Sequence, residues 1–162
     1  MVNDPARGWA VFGAIAKGEL IADKTVQGGT AERVTISAEG ANPWDAGGMA
    51  GNVKPVAKDD VLLLAFWARA VVPPAGQSTI TLLARLQESA APYTSLGAQE
   101  TLALTSQWKM YYVRAVAQKA YAKATMAGSL NFATGIQTLD LGPILLIDFG
   151  PGYDVNKLPV NR

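Results

Sequence analysis

Residues 61–70 read Val-Leu-Leu-Leu-Ala-Phe-Trp-Ala-Arg-Ala, ten residues with one charge and neither Gly nor Pro. The even positions, Leu62, Leu64, Phe66, Ala68 and Ala70, are all apolar. The odd positions, Val61, Leu63, Ala65, Trp67 and Arg69, begin apolar and end in Trp and Arg. Successive side chains of a strand point to opposite faces. The spacing therefore predicts one face in a core and Trp67 beside Arg69 on the other. The flanks speak against a helix: Asp59-Asp60 precede, and Val71-Val72-Pro73-Pro74 follow, a β-branched pair before a double proline that favours extended backbone. This is the pattern of a central strand in a two-layer sandwich.

Working upstream, Asn52–Ala57 reads as a further strand and Gly40–Gly51 as a Gly-rich loop that carries Trp44. Val34 and Ile36 alternate with Arg33, Thr35 and Ser37, a half-exposed strand over Ala31–Ser37. Strands are also expected at Trp9–Ala16 and Leu20–Val26, with residues 1–8 polar and loop-like. Downstream, Ser78–Gln87 alternates cleanly, and Glu100–Thr105 and Gln107–Lys119 follow the same rule. Thr125–Ala133 places Met126, Gly128, Leu130 and Phe132 inward and Ser129 and Asn131 outward. Gln137–Phe149 contains the buried-strand run Ile144-Leu145-Leu146-Ile147. Ala and Lys over Ala115–Ala127 suit a helix by propensity, but the preceding Tyr-Tyr-Val favours a strand. About nine or ten short strands with turn residues between them define an all-β sandwich or barrel. Residues 1–150 form one domain in this reading, and 151–162 a tail or linker leading towards a next domain.

Composition narrows the chemistry. The chain is 49% apolar and 17% charged with net charge +1, without the basic stripe that nucleic-acid binding calls for. No apolar run reaches the roughly 18 residues of a helical membrane span. The opening Met1-Val2-Asn3-Asp4-Pro5 carries no secretory leader pattern and reads as a domain boundary. Cys and His are both absent, which removes disulfides, thiolate nucleophiles, the Ser-His-Asp triad and the commonest transition-metal ligands. Carboxylate chemistry, Ser-Lys chemistry, hard-ion binding or binding without catalysis remain.

Four segments together resemble a known group. These are Val56–Ala70, ending in Phe-Trp-Ala-Arg-Ala, Thr105–Val113 with its Trp and Tyr-Tyr, Leu130–Phe132, and Ile144–Phe149 with Ile-Asp. In this order they resemble the carbohydrate-binding modules of families 4, 9 and 22, jelly-roll β-sandwiches appended to secreted xylanases and glucanases. The resemblance covers most of residues 9–150. The chain departs from it at Val2–Arg7, which lacks the Asn-x-Phe-Glu opening strand that helps hold a structural calcium in those modules. The resemblance implies non-catalytic binding of a β-linked plant polysaccharide, xylan or β-glucan, in a cleft on the concave sheet. It implies no required cofactor, a monomer secreted or periplasmic as part of a larger enzyme, and a covalently appended catalytic domain. It places a cleft aromatic on Trp67, a second on Tyr111 or Tyr112, of which strand parity favours Tyr112, a polar sugar contact on Asn131 and a calcium ligand on Asp148.

The residues make a parallel case. A sugar site needs aromatic platforms for C–H faces and planar groups for hydroxyls. The outward positions offer Trp67 and Arg69, Arg85, Tyr112 and Arg114, and Asn131, expected on one surface, with Trp44 as a wall. Each has a plainer alternative: Trp67 as a core filler, Arg69 as half of an in-sheet salt bridge, Arg85 and Arg114 as solvated strand charges, and Asp148 as a turn acceptor. Arg69, Arg85 and Arg114 together suggest an acidic glycan, since Arg pairs bidentately with carboxylates. The acidic residues cluster mostly in turns, away from Trp67, which speaks against the paired carboxylates of a glycosidase. A glycan hydrolase or lyase and a structural or partner-binding jelly roll are the alternatives to a binding module.

Overall fold

The quoted stretch is the heart of β5, a strand that runs over Asp60–Val72 in the computed structural model, which describes residues Met1–Arg162. The other strands, in chain order, are β1 (Ala10–Phe12), β2 (Ala16–Ala22), β3 (Thr30–Ile36), β4 (Gly47–Gly51), β6 (Ile80–Glu88), β7 (Glu100–Leu104), β8 (Lys109–Val116), β9 (Met126–Asn131) and β10 (Gln137–Pro151). They form two antiparallel sheets, ordered β1-β4-β9-β6-β7 and β2-β3-β10-β5-β8. Three 3₁₀ turns are the only helical segments. The chain is an all-β sandwich of the jelly-roll kind.

The even side chains of β5 lie between the sheets. Leu62, Leu64, Phe66, Ala68 and Ala70 share the core with Ile80, Leu82 and Leu86 of β6, Met126 and Leu130 of β9, and Leu139 and Leu146 of β10. Phe66 meets Trp9 edge-on at 5.7 Å and stacks on Tyr111 at 5.9 Å. Burial of such side chains contributes about 1.5–3 kcal/mol each.

The first three odd side chains, Val61, Leu63 and Ala65, are buried too, by a different cover. Val61, Leu63 and Ala65 form a second small cluster with Leu158, which is 5% exposed. Residues 153–162 run back over the outside of β5 and β8. Asn161 grips the free edge of β8: the Tyr112 amide donates to Asn161 Oδ1, and Asn161 Nδ2 donates to the Tyr112 carbonyl, both at 2.8 Å. The apolar start of the odd set thus reports a covered outer face. Leu158→Ala is expected to lower stability by about 2 kcal/mol, at the low end for a buried leucine because the cluster is small. A urea titration checks this; an unchanged midpoint would mean the segment adds nothing to the fold.

Several boundaries differ from the sequence reading: β2 spans Ala16–Ala22 instead of reaching Val26, and the strand expected over Ala115–Ala127 stops at Val116. Residues 9–16 are not one strand. The chain turns at Gly13, whose φ of 102° is left-handed, and a Cβ there would lie 2.2 Å from the Asp45 carbonyl oxygen. The turn sends β1 and β2 into opposite sheets. The Gly-rich stretch 40–51 contains strand β4, because Phe12 lies across Gly47: a Cβ on Gly47 would come within 2.4 Å of its ring. Residues 52–57 give only isolated bridges, Asn3 to Asn52 and Val56 to Tyr121. Asn3 is itself buried, donating to the Ile144 carbonyl at 3.0 Å and accepting from the Leu146 amide at 2.8 Å.

Candidate functional site

On the β1-β4-β9-β6-β7 sheet, register sets side chains in rows on the face turned away from the core. One row runs Phe12, Gly47, Asn131, Leu83. The next runs Ala10, Met49, Ser129, Arg85. Cross-strand neighbours in such rows have Cβ atoms about 4.5–5.5 Å apart and act as one surface. Above them lies a groove of about 730 Å³.

Two loops wall it. Trp44, 58% exposed, sits on the 3₁₀ turn Pro43–Asp45, where the Asn42 amide donates to Asp45 Oδ2 at 2.9 Å and the Ala133 amide donates to the Pro43 carbonyl at 3.0 Å. Tyr93, 46% exposed, sits in the loop between β6 and β7 beside Pro92. Its φ of 56° is left-handed, a strained state for a non-glycine residue that the loop holds with the Tyr93 amide on the Ala90 carbonyl at 2.8 Å. Two large aromatics stand exposed over a floor of Ser129, Asn131 and Gln87, which are almost fully buried, and half-buried Arg85. Arg85 Nε donates to Gln87 Oε1 at 2.6 Å. Apolar platforms above planar amides and a guanidinium can hold the faces and hydroxyls of a sugar chain.

The sequence-derived candidates divide between the two sheets. Trp44, Arg85 and Asn131 line this groove. Trp67, Arg69, Tyr112 and Arg114 lie on the outer face of the other sheet, so the single surface expected from the sequence does not exist. Alternation assigns a face within a strand; it does not say which strands pair. β5 pairs with β8 and β6 with β9, on opposite sides of the sandwich. Phe12, Gln87, Ser129 and Tyr93 complete the groove. Gln87 and Ser129 share parity with Arg85 and Asn131, which was the available signal; the Tyr93 loop offered none.

On the other face Trp67 lines a second groove of about 700 Å³ with Gln27, Glu32 and Met110, while Arg69 beside it is committed to ion pairs within the sheet. Asp140 on β10 is wholly buried between its cross-strand neighbours Arg33 and Arg69. Arg33 Nε reaches Oδ1 at 2.8 Å and its Nη2 reaches Oδ2 at 3.0 Å. Arg69 donates from Nε at 3.0 Å and from Nη2 at 2.9 Å to Oδ2. Asp140 pushes the Arg33 pKa up through these hydrogen bonds. Arg69 also contacts Asp23 at 2.9 Å and lies 4.8 Å over the Trp108 ring. Hydrogen bonds from Thr25 hold the Asp23 carboxyl below the usual aspartate range. Trp67 Nε1 faces Gln27 Oε1 at 3.4 Å. Tyr112 lies against the cluster under Leu158, and Arg114 Nη1 donates to the Val155 carbonyl at 3.3 Å. The three arginines that suggested an acidic glycan therefore do not converge.

Asp148 stands beside Asp60 at the far end of β10. Its Oδ1 accepts the Gly150 amide at 2.7 Å, and Asp60 Oδ2 accepts the Ala57 amide at 2.7 Å. No third acidic side chain joins them in a metal-ligating group. Calcium takes six to eight oxygens, so a site at this pair would need most of its ligands from backbone carbonyls and water. Burial first, then the neighbouring Asp60, push the Asp148 pKa up. A carboxyl raised in the fold stabilises the native state when protonated, and that stability is lost as pH rises through its folded pKa. Asp148→Asn keeps the acceptor and removes the charge. Its melting temperature is expected to exceed wild type at pH 7, with the two converging below about pH 4, where a free aspartate also protonates. A gain of the same size at both pH values would assign the effect to packing instead.

The sequence matches no known family model and no curated protein. Solved structures share the fold. A carbohydrate-binding module of family 4 is 18% identical, with a TM-score of 0.64 over 88% of this chain and 95% of its own. The CBM22-1 xylan-binding domain of Paenibacillus barcinonensis Xyn10C is 16% identical, with a TM-score of 0.62 over 90% of this chain and 88% of that one. The CBM22-1-GH10 modules of Clostridium thermocellum xylanase 10B, solved with xylohexaose, are 12% identical, with a TM-score of 0.64 over 94% of this chain and 28% of theirs. The fold that the four sequence segments pointed to, that of carbohydrate-binding modules of families 4 and 22, is the fold of this chain.

Proposed function

We propose that this chain is a non-catalytic carbohydrate-binding module that holds a β-linked polysaccharide in the groove over β1-β4-β9-β6-β7. The observation that carries the reading is the pairing of exposed Trp44 and Tyr93 with the floor of Arg85, Gln87, Ser129 and Asn131. Exposed aromatics on loops held in place by backbone hydrogen bonds lose little freedom when a sugar ring docks on them. The groove lining contains no Asp or Glu, so it offers no pair of carboxylates for glycoside hydrolysis. The family 22 modules of similar fold, one described as xylan-binding and one solved with xylohexaose beside a catalytic module, make xylan the first ligand to try. By the same analogy the chain serves a secreted hydrolase as its targeting module. Binding by a lone module of this kind falls in the micromolar to millimolar range, about −4 to −8 kcal/mol.

Affinity electrophoresis through gels containing xylan, mixed-linkage β-glucan, cellulose or alginate tests this reading. Retardation by one or more of these glycans is the expected result. Free migration through all of them would move the protein to the partner-binding jelly rolls.

A further inference from the structure

Charge is unevenly settled in this molecule. Arg33 and Arg69 are neutralised by Asp140, with Asp23 adding to Arg69. Arg114 donates to a backbone carbonyl, and Glu88, the acid nearest Arg85 in sequence, is taken by Lys119. Arg85 is a half-buried arginine in the floor of a groove with no ion pair. It is also the one charged side chain in that groove's lining. Its neighbour in the position to neutralise it, Gln87, is an uncharged amide. A partly desolvated cation without a counter-charge is costly to keep unless something completes it.

The geometry of that cation is specific. Gln87 Oε1 takes Arg85 Nε at 2.6 Å, which fixes the plane of the guanidinium and leaves its two terminal nitrogens as a fork. Such a fork matches a carboxylate with two parallel hydrogen bonds. We infer that the groove selects glycans carrying a uronic acid, whose carboxylate docks on Arg85, with Gln87 as the residue that positions it. The inference rests on the reading of the groove as a sugar site and deepens it. It does not need the convergence of three arginines that the sequence suggested and the fold excludes. The carboxylate can come from a side group, as in glucuronic-acid-decorated xylan, or from the backbone, as in alginate.

The test compares glucuronoxylan with the same polymer after its carboxyl groups are reduced to primary alcohols, by isothermal titration with the intact chain. Wild type is expected to bind the acidic form at least about tenfold more tightly, with the advantage shrinking as ionic strength rises to about 0.5 M. Arg85→Gln is expected to lose the preference and bind both forms alike, no more tightly than wild type binds the reduced polymer. Arg85→Lys keeps the charge without the fork and is expected to retain a smaller preference. Thermal melts establish that the variants are folded, and the comparison of the two polymers on wild type needs no variant. Alginate bound as tightly as glucuronoxylan would support the carboxylate with a backbone source. Equal affinity of wild type for native and reduced glucuronoxylan overturns the inference and leaves the sugar groove standing. Binding to no polysaccharide of either kind overturns both.

Discussion

Asp140→Ala is expected to lower the stability of this sandwich by about 3–5 kcal/mol, the largest effect of any single substitution outside the core. The carboxylate is wholly buried and accepts from two guanidinium groups, of which Arg69 alone has a second ion-pair partner, Asp23, while Glu19 lies opposite Arg33 in register without pairing with it. Removing one member of a buried ion network leaves the remaining charges unpaired, and their desolvation is then uncompensated. Here the damage falls on the centre of the β3-β10-β5 sheet, where Asp140 lies opposite Arg33 and Arg69 in register. The cost comes from breaking the set, since charges of this kind add little over a well-packed apolar set. Replacing Asp140, Arg33 and Arg69 together by Leu and Met is therefore expected to cost less than Asp140→Ala alone. Chemical denaturation of the single and triple variants measures both. A single variant within about 1 kcal/mol of wild type would mean that water reaches the two arginines and the network is only decorative.

This network also shows what the sequence could reveal. Residues 61–70 predicted the central strand and its core face correctly, because a period of two with apolar even positions has one solution in a sandwich. The split role of the odd face was written there as well: Val61, Leu63 and Ala65 are apolar because Leu158 covers them, and Arg69 is polar because Asp140 awaits it. What could not be read was the partner of each face, since Asp140 lies 71 residues away along the chain and Leu158 in a stretch that looked like a linker. The groove suffered the same loss. Parity points to Arg85 and Asn131, but it points equally to Trp67 and Arg69, because nothing local says that β5 and β6 belong to different sheets. β4 was hidden for the opposite reason. Its glycines, which ordinarily mark a loop, make room for Phe12 at the groove's edge.

The choice between the two faces gives the second large effect. Trp44→Ala and Tyr93→Ala are each expected to weaken polysaccharide binding by about thirtyfold, or about 2 kcal/mol, the scale of a central aromatic anchor. Both side chains stand exposed outside the core, so neither change is expected to move the melting temperature by more than a degree or two. The double variant is expected to lose detectable retardation in affinity gels. Trp67→Ala should behave in the opposite way. Its ring is half-buried on the other sheet, against Gln27 and beside the loop that carries Val26, so its loss is expected to lower the melting temperature and leave groove affinity unchanged. These paired outcomes separate binding from folding, because each variant serves as the control for the other. If Trp67→Ala removed binding in a protein that still melts cooperatively at the wild-type temperature, while Trp44→Ala and Tyr93→Ala bound normally, the sugar would have to sit on the β2-β3-β10-β5-β8 face. The exposed aromatics of the groove would then be loop residues without a ligand. A pair of exposed rings over a floor of buried amides and a half-buried arginine on one sheet, set against a half-buried tryptophan on the other, places the expected loss of binding at Trp44 and Tyr93.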